Sequence, residues 1–220
     1  MKEYKIGIVE DNPEELNSIK RTIYSHLSED YVITYKDYNI NSNNIDDKQI
    51  VKEIEDDIIN NNIMLLIIDN KLVAEGVRLK GSSIYEKVKK IASNFPIIIM
   101  TNYKEEAYDS DYVDPDKVYD KENFFLNKEY TREKINSICL SIDKYNKLKN
   151  NIIAEKKRLI NEYEQDSEEE SQETLNELLK TDLEIKKYTP IEVTYLEELI
   201  SPDYVKEIIE LLDKIKSKLD

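Results

Sequence analysis

The run Ile63-Met64-Leu65-Leu66-Ile67-Ile68-Asp69 decides the fold class of this chain. A strand with one exposed face would alternate apolar and polar residues, whereas this run is apolar until its final Asp. A continuous apolar run of this length is typical of a central strand that is buried on both faces of a parallel sheet. The run therefore predicts an α/β fold with helices packed on each side of the sheet.

Outward from this run, short apolar segments alternate with segments that have helical periodicity. The helical face of residues 13–27, for example, carries Leu16, Ile19 and Ile23. Strands that alternate with helices imply right-handed crossovers and a parallel sheet. The sequence predicts a doubly wound, five-stranded parallel sheet, with strands at 4–9, 31–38, 63–69, 96–101 and 123–127 and helices at 13–27, 47–61, 82–93 and from about Thr131.

The helix after the fifth predicted strand has no Gly or Pro between Thr131 and Gln165. It is predicted to be one long helix that starts on the sheet and leaves it as a stalk. One face, called the seam below, follows the 3-4 spacing of a coiled coil or bundle contact. The seam consists of Ile135, Ile138, Ile142, Tyr145, Lys149, Ile152, Lys156, Leu159 and Tyr163.

The remainder of the chain is predicted to be a small all-α element. An acidic break at 166–171 precedes a helix that contains Leu175 and Leu179 and ends at Thr189-Pro190. Residues 191–200 fit either a strand or a short helix, and a last helix is predicted to begin at 201–203. The predicted domains are 1–145 for the sheet domain and 146–220 for the helical extension.

Charge and cysteine content restrict the classes of partner and compartment. The net charge is −15, and residues 147–220 carry 12 Lys and Arg against 19 Asp and Glu. This acidity disfavours nucleic-acid binding, which needs basic surface, and disfavours an anionic membrane surface. No apolar run reaches the roughly 18 residues of a membrane span. The single Cys139 and the absence of a recognisable signal peptide predict a cytoplasmic protein.

Polar residues stand where the predicted strands end, at Glu10, Asp11, Asp69, Thr101 and Lys128. In an open parallel sheet, ligands bind outside the carboxyl ends of the strands. We therefore expect these five side chains to converge on one pocket.

The first 145 or so residues resemble the receiver domain of two-component response regulators, a phosphoacceptor domain of flavodoxin-like fold. Four short motifs carry the resemblance, and their order within the alternating pattern makes them specific. They are Val9-Glu10-Asp11-Asn12, Leu66-Ile67-Ile68-Asp69, Ile98-Ile99-Met100-Thr101 and Leu126-Asn127-Lys128-Glu129-Tyr130-Thr131.

The resemblance implies a Mg²⁺-dependent phosphoacceptor. Asp69 would be the nucleophile that becomes an aspartyl phosphate. Asp11 and Asp69 would bind Mg²⁺ directly, Glu10 would bind it through water, and the backbone carbonyl of Lys71 would complete the protein ligands. The Thr101 hydroxyl would hydrogen-bond a phosphate oxygen, and a lysine would pair with another.

Two lysines compete for that last role. Lys128 is preferred because the stretch from Lys128 resembles the opening of the last receiver helix, and Lys121 is the alternative. The choice of Lys128 makes Phe125, three residues earlier, the aromatic switch residue. A core position is an equal alternative for Phe125. The only histidine, His26, is interpreted as structural or neutral, so phosphorylation would need a separate histidine kinase or other phosphodonor.

The chain departs from the receiver pattern in three places. Glu129 replaces the usual proline after the lysine, the loop 70–80 is long, and Asn102 replaces a small residue. The segment before Lys128 is acidic, which suggests a solvated charge run rather than a second cation site; its acids are Asp109, Asp111, Asp114, Asp116 and Asp120.

Three functions are compatible with the sequence. The first is a response-regulator-like protein that switches a protein partner or a homodimer through residues 131–220. The second is a degenerate pseudo-receiver that acts as a constitutive interaction module without phosphorylation. The third, a small phosphatase or nucleotide-binding enzyme on the same fold, is disfavoured because the chain lacks a Gly-rich phosphate loop.

Overall fold

The structure is a computed structural model, and it describes residues 2–27, 31–38, 40, 47–74, 77–108, 110–163 and 171–190. The chain forms two compact units, Met1–Pro190 and Ile191–Asp220. All residues that the structure describes belong to the first unit. Residues 166–170 of the predicted acidic break, residues 191–200 and the predicted last helix lie outside the described residues.

Five parallel strands form the central sheet in the order β2-β1-β3-β6-β7, and a separate antiparallel hairpin pairs β4 with β5. The apolar run at 63–69 contains β3, the central strand of the five. The strands are β1 (Lys2–Val9), β2 (Tyr31–Tyr38), β3 (Leu65–Asp69), β4 (Lys71–Ala74), β5 (Val77–Lys80), β6 (Ile97–Thr101) and β7 (Val118–Asp120). The predicted α/β class with a five-stranded parallel sheet is confirmed.

Among the described residues, the helices are α1 (Pro13–His26), α2 (Asp47–Ile59), α3 (Gly81–Ile91), α4 (Lys104–Tyr108), α5 (Lys121–Leu126), α6 (Lys128–Tyr163) and α7 (Ser171–Lys186), and a short 3-10 turn spans Pro115–Lys117. The start of α1 shows why the chain turns helical directly after β1. The Asn12 side chain accepts hydrogen bonds from the backbone N–H groups of Glu14 and Glu15, and Pro13 occupies the first turn.

The sheet carries an apolar core on each face. Leu65 and Ile67 of β3 pack with α1, α5 and α6, whereas Leu66 and Ile68 pack with α2 and α3. Successive side chains of a strand point to opposite faces, so one uninterrupted apolar run supplies both cores. All four side chains are essentially fully buried. The double-sided burial inferred from this run is present.

The prediction of a fifth strand at 123–127 is wrong. The fifth strand is β7, three residues long and five residues earlier, and residues 121–126 form α5. Asp120 caps α5, because its carboxylate accepts a hydrogen bond from the Asn123 N–H at 2.7 Å. Among the apolar residues of α5 only Phe124 is fully buried, whereas Leu126 is 75% exposed. The apolar patch that suggested a strand is therefore part of a short helix with one buried apolar side chain.

The segment predicted as a long loop after Asp69 is the β4–β5 hairpin. It pairs Lys71 with Lys80 and Leu72 with Leu79. Leu72 is fully buried and joins the core that contains α2 and α3. The two described strands of this segment therefore belong to the domain, and they lie directly beside the end of β3.

The long helix predicted from Thr131 is confirmed as α6, and its seam packs within its own chain. Lys149 donates a hydrogen bond to the Asn61 side-chain oxygen at 2.6 Å, and Lys156 pairs with Asp182 of α7 at 2.7 Å. Leu159 is 1% exposed. The two lysines that interrupt the seam thus have intramolecular partners, and α6 continues without a break across the 145/146 boundary predicted between domains.

The described helices include none that is both long enough and apolar enough to cross a membrane.

Candidate functional site

The carboxyl ends of four strands enclose a cavity of about 210 Å³. Because parallel strands end at the same edge of the sheet, residues far apart in sequence meet there. Five of the residues that line the cavity carry the chemistry discussed below: Glu10, Asp11, Asp69, Thr101 and Lys121. Four of the five residues expected at this pocket are present, and the fifth position belongs to Lys121 rather than Lys128.

Lys121 lies at the centre of the charged groups. It is the first residue of α5, it is 3% exposed, and its Nζ donates to Glu10 Oε2 at 2.7 Å and to Asp69 Oδ1 at 2.8 Å. Glu15 of α1 forms a third ion pair with the same ammonium. Burial alone would lower the pKa of Lys121, but the charges of Asp69 and Glu10 outweigh it and raise the pKa. Lys121 is therefore a fixed positive charge at any ordinary pH.

Burial raises the pKa of two carboxyl groups in the cavity. For Glu10, the loss of solvent raises the pKa to about 7, with Lys121 opposing the shift and the neighbouring charge of Asp69 adding to it. For Asp69, burial likewise raises the pKa, although Lys121 and the Lys71 N–H counteract it. Two buried acids beside one ammonium thus leave an excess of negative charge that is costly to desolvate.

The acidic residues Glu10, Asp11 and Asp69 form a cluster whose ligand atoms lie within 4.8 Å of one another. Glu15 adds a fourth carboxylate at the cavity, and Lys121 pairs with three of the four, Glu10, Glu15 and Asp69. Hard divalent cations such as Mg²⁺ take carboxylate and water oxygens at close range, so this donor set fits such an ion. Within the described residues this is the only grouping of three or more potential metal ligands, and the acidic segment before α5 provides no second one.

Backbone N–H groups hold each carboxylate of the cluster in place. Asn12 N–H donates to Glu10 at 3.1 Å, Lys71 N–H to Asp69 Oδ2 at 2.8 Å, and Val73 N–H to Asp11 at 3.0 Å. The last two donors belong to the β4–β5 hairpin, which sequence reasoning treated as a loop. The backbone of Lys71 contacts Asp69 through its N–H, and metal binding by its carbonyl stays a prediction.

Gly81 allows the hairpin to return close to the end of β3. A Cβ atom added at this position would lie 2.1 Å from the backbone oxygen of Asp69, which no side chain could tolerate. The Gly81 N–H donates to the Asn70 carbonyl at 3.0 Å, and Ser82 N–H donates to the Asn70 side chain. One of only three glycines in the chain thus stands where the close backbone approach requires it, and the scarcity of glycine in the sequence is the signal that could have located this position.

Thr101 connects the cavity to α4. Its side chain is 1% exposed, and its Oγ1 accepts a hydrogen bond from the Tyr103 N–H at 3.1 Å. The ammonium of Lys71 lies 3.4 Å from the centre of the Tyr103 ring and pairs with Glu106 of α4 at 2.7 Å. Thr101 is therefore connected through Tyr103 and Lys71 to the hairpin and to α4.

Lys128 and Phe125 do not lie at the cavity. Lys128 is the first residue of α6 and is exposed, and Phe125 is a half-buried residue of α5 whose ring lies 6.0 Å from that of Phe124. The preference for Lys128 depended on a strand at 123–127. These residues belong mostly to the helix α5, and Lys128, which follows it, does not line the cavity. The lysine at the cavity is Lys121, the alternative that the sequence left open, whereas Lys128 lies outside it. The switch role of Phe125 stays a prediction.

Glu15 is the member of the site that sequence reasoning missed. It follows Asp11 by four residues, and one helical turn brings its carboxylate above the end of β1. The position was readable as the exposed first turn of α1, but nothing in the sequence indicated that it would pair with Lys121.

No protein-family model matches the chain, and a search of curated proteins finds no match to it.

Proposed function

We propose that this chain is a receiver-type phosphoacceptor in which Asp69 accepts a phosphoryl group. The observation that carries the proposal is the convergence of Glu10, Asp11, Asp69, Thr101 and Lys121 on one cavity at the carboxyl ends of the strands. The order of the five parallel strands supports it, because by position in that sheet it is the 2-1-3-4-5 order of flavodoxin-like folds.

The reaction assigned to the site is a displacement at phosphorus. A carboxylate oxygen of Asp69 attacks the phosphorus of a phosphodonor, the bond to the donor breaks, and the donor leaves with the bonding electron pair. Mg²⁺, held by Glu10, Asp11 and Asp69, would neutralise charge on the transferring group. Lys121, already 2.8 Å from Asp69, would pair with a phosphate oxygen, and Thr101 would donate its hydroxyl to another.

The link from the site to an output runs through Tyr103. If the Thr101 hydroxyl turns to a phosphate, the Tyr103 N–H loses its acceptor, and the Lys71 ammonium loses its fixed aromatic partner. Lys71 ties the hairpin to α4 through Glu106, so both elements would shift together. We propose that this shift, and the helices from residue 131 onward, present altered contacts to a protein partner.

A constitutive interaction module is the second candidate, and one observation favours it. Both oxygens of Asp69 already accept hydrogen bonds, one from Lys121 and one from the Lys71 N–H. Lys121 also holds Glu10 and Glu15, so the site has an internal set of partners that phosphorylation would have to rearrange.

Labelling by a small phosphodonor tests the proposal. The protein would be incubated with acetyl phosphate and Mg²⁺, and the mass of the intact chain would be followed. We expect one added phosphoryl group, absent in Asp69→Asn and present in Asp111→Asn, a matched change at an exposed acid outside the cavity. Equal labelling of wild type and Asp69→Asn would refute the proposal.

A phosphate mimic separates the two candidates. Beryllofluoride with Mg²⁺ should raise the melting temperature of the wild type, because this phosphate mimic would occupy the position of the phosphoryl group on Asp69 and a ligand of the folded state stabilises it. No change in melting temperature, together with no labelling, would favour the constitutive module.

A further inference from the structure

A second cavity, of about 400 Å³, lies at the opposite end of the sheet from the acidic cluster. It stands where β6 and β7 begin, and it shares no lining residue with the cavity at Asp69. Its walls come from the end of α3, the segment that leads into β6, the turn before β7, the middle of α6 and the residues after α7. Its volume is in the range of small-molecule sites in proteins.

The charge of this cavity is opposite to that of the chain as a whole. Lys89, Lys117 and Lys144 line it, and no carboxylate does, although the protein carries a net charge of −15. Within the described part of the chain none of these three lysines forms an ion pair with an acidic side chain. Three ammonium groups that form no such ion pair and share a cavity without a carboxylate give it a local positive potential that an anion would relieve.

Lys89 is held at the wall by the backbone. Its Nζ donates to the carbonyl oxygens of Ser93 at 2.9 Å and Phe95 at 2.8 Å. Burial and then the charge of Lys117 lower the pKa of Lys89 to about 8, and the carboxylate of Asp114 opposes the shift. The Asp114 carboxylate accepts a hydrogen bond from the Asp116 N–H at 3.0 Å and does not line the cavity.

The lining also includes apolar and aromatic side chains. Tyr145 and Tyr188 have ring centres 6.0 Å apart at an angle of 35°, and the Tyr145 hydroxyl donates to the Tyr188 carbonyl at 2.8 Å. Leu148 continues this surface and is 36% exposed. The cavity thus combines ammonium groups with apolar and aromatic surface, a composition that suits an organic anion.

We propose that this cavity binds a small organic phosphate, with the phosphate against Lys89, Lys117 and Lys144 and the organic part against Tyr188 and Leu148. Lysine serves phosphate as a point charge, without the fixed fork of arginine, and three of them can surround one phosphate group. The site does not depend on the function proposed for Asp69, because the two cavities have separate walls.

Calorimetric titration of the full chain with adenosine monophosphate tests this site. EDTA is present throughout, so that no phosphate can bind through a cation at the acidic cluster. We expect saturable binding of the monophosphate, weaker binding of adenosine, and a loss of affinity as salt is raised. In the Lys117→Ala/Lys144→Ala double variant the affinity should fall on the order of tenfold or more, because each charged hydrogen bond contributes about 1.5 kcal/mol or more.

Lys147→Ala is the matched control. It removes an exposed lysine from α6 that does not line the cavity, and it should bind the monophosphate as the wild type does. An absence of binding by the wild type, equal affinity of the double variant, or equal affinity for adenosine and its monophosphate would each overturn the proposal. Binding that also survives in Asp69→Ala places the phosphate away from the proposed acceptor site.

Discussion

Replacement of Lys121 by Met is expected to destabilise the protein strongly and in a pH-dependent way. Lys121 is 3% exposed, and its ammonium contacts Glu10 and Asp69. The change removes this ammonium and leaves a side chain of similar length. Removing one partner of a buried ion pair typically costs about 3–5 kcal/mol. Because the cavity opens to solvent on one side, we expect the lower end of that range, about 3 kcal/mol, at pH 8.

The pH dependence follows from Glu10. Its pKa in the folded protein is about 7, above its ordinary value of 4.5, so the folded state holds this proton more tightly than the unfolded chain does. Such a group makes the protein less stable as pH rises from 4.5 to 7. Without Lys121, the group that most opposes this shift, the pKa rises further. Protonation of Glu10 then relieves the buried charge at low pH, so the deficit of the variant should be smaller at pH 5 than at pH 8.

Urea unfolding at pH 5 and pH 8, with Lys128→Met as the control, measures both effects. Lys128 is exposed and outside the cavity, so its replacement should change the free energy of unfolding by no more than about 0.5 kcal/mol. The charge of Lys121 itself does not change between these pH values, because its pKa is raised from an already high value. If Lys121→Met matches the control at pH 8, or if its deficit is the same at both pH values, the reasoning about the buried charges is wrong.

Three further predictions concern the cation, the hairpin and α7. Millimolar Mg²⁺ should raise the melting temperature of the wild type by relieving the excess of carboxylates, and in Asp11→Asn this increase should be smaller or absent in the same thermal scan. Gly81→Ala should lower the free energy of unfolding by on the order of 3 kcal/mol in urea titrations, because the added methyl would overlap the Asp69 backbone oxygen. Tyr145→Phe removes the hydrogen bond to the Tyr188 carbonyl and should cost about 1 kcal/mol, with faster amide exchange confined to the end of α7; unchanged exchange there would contradict this role of the bond.

Elements with a strong apolar period were predictable from the sequence. The central strand β3 shows a solid apolar run, and α1 and α6 show long helical faces, because burial against a sheet imposes these patterns residue by residue. The same reasoning located Glu10, Asp11, Asp69 and Thr101, since each directly follows or ends a strand whose end was unambiguous. Position at a strand end is a local property of the chain.

Short elements were not predictable in this way. β7 has three residues, too few for a period, and a single buried Phe124 in α5 resembles part of an apolar strand. The Asp120 side chain caps α5 and so favours a helix over a strand at these residues. In a chain rich in acidic residues, one Asp is a weak indication of a helix start. The hairpin after Asp69 was missed for a related reason, because its pairing depends on contacts with the end of β3 and with Gly81.

The sequence by itself determined the parallel α/β sheet, its buried central strand and the acidic residues at its carboxyl edge, because these follow from local periodicity and strand direction. Only the tertiary structure decided which lysine pairs with those acidic residues. Lys121 and Lys128 are both preceded by short apolar patches, and the difference between them is a set of carboxylates supplied by β1, α1 and β3. The stabilisation of a buried ammonium is a sum over groups distant in sequence, and those groups meet only after the chain has folded.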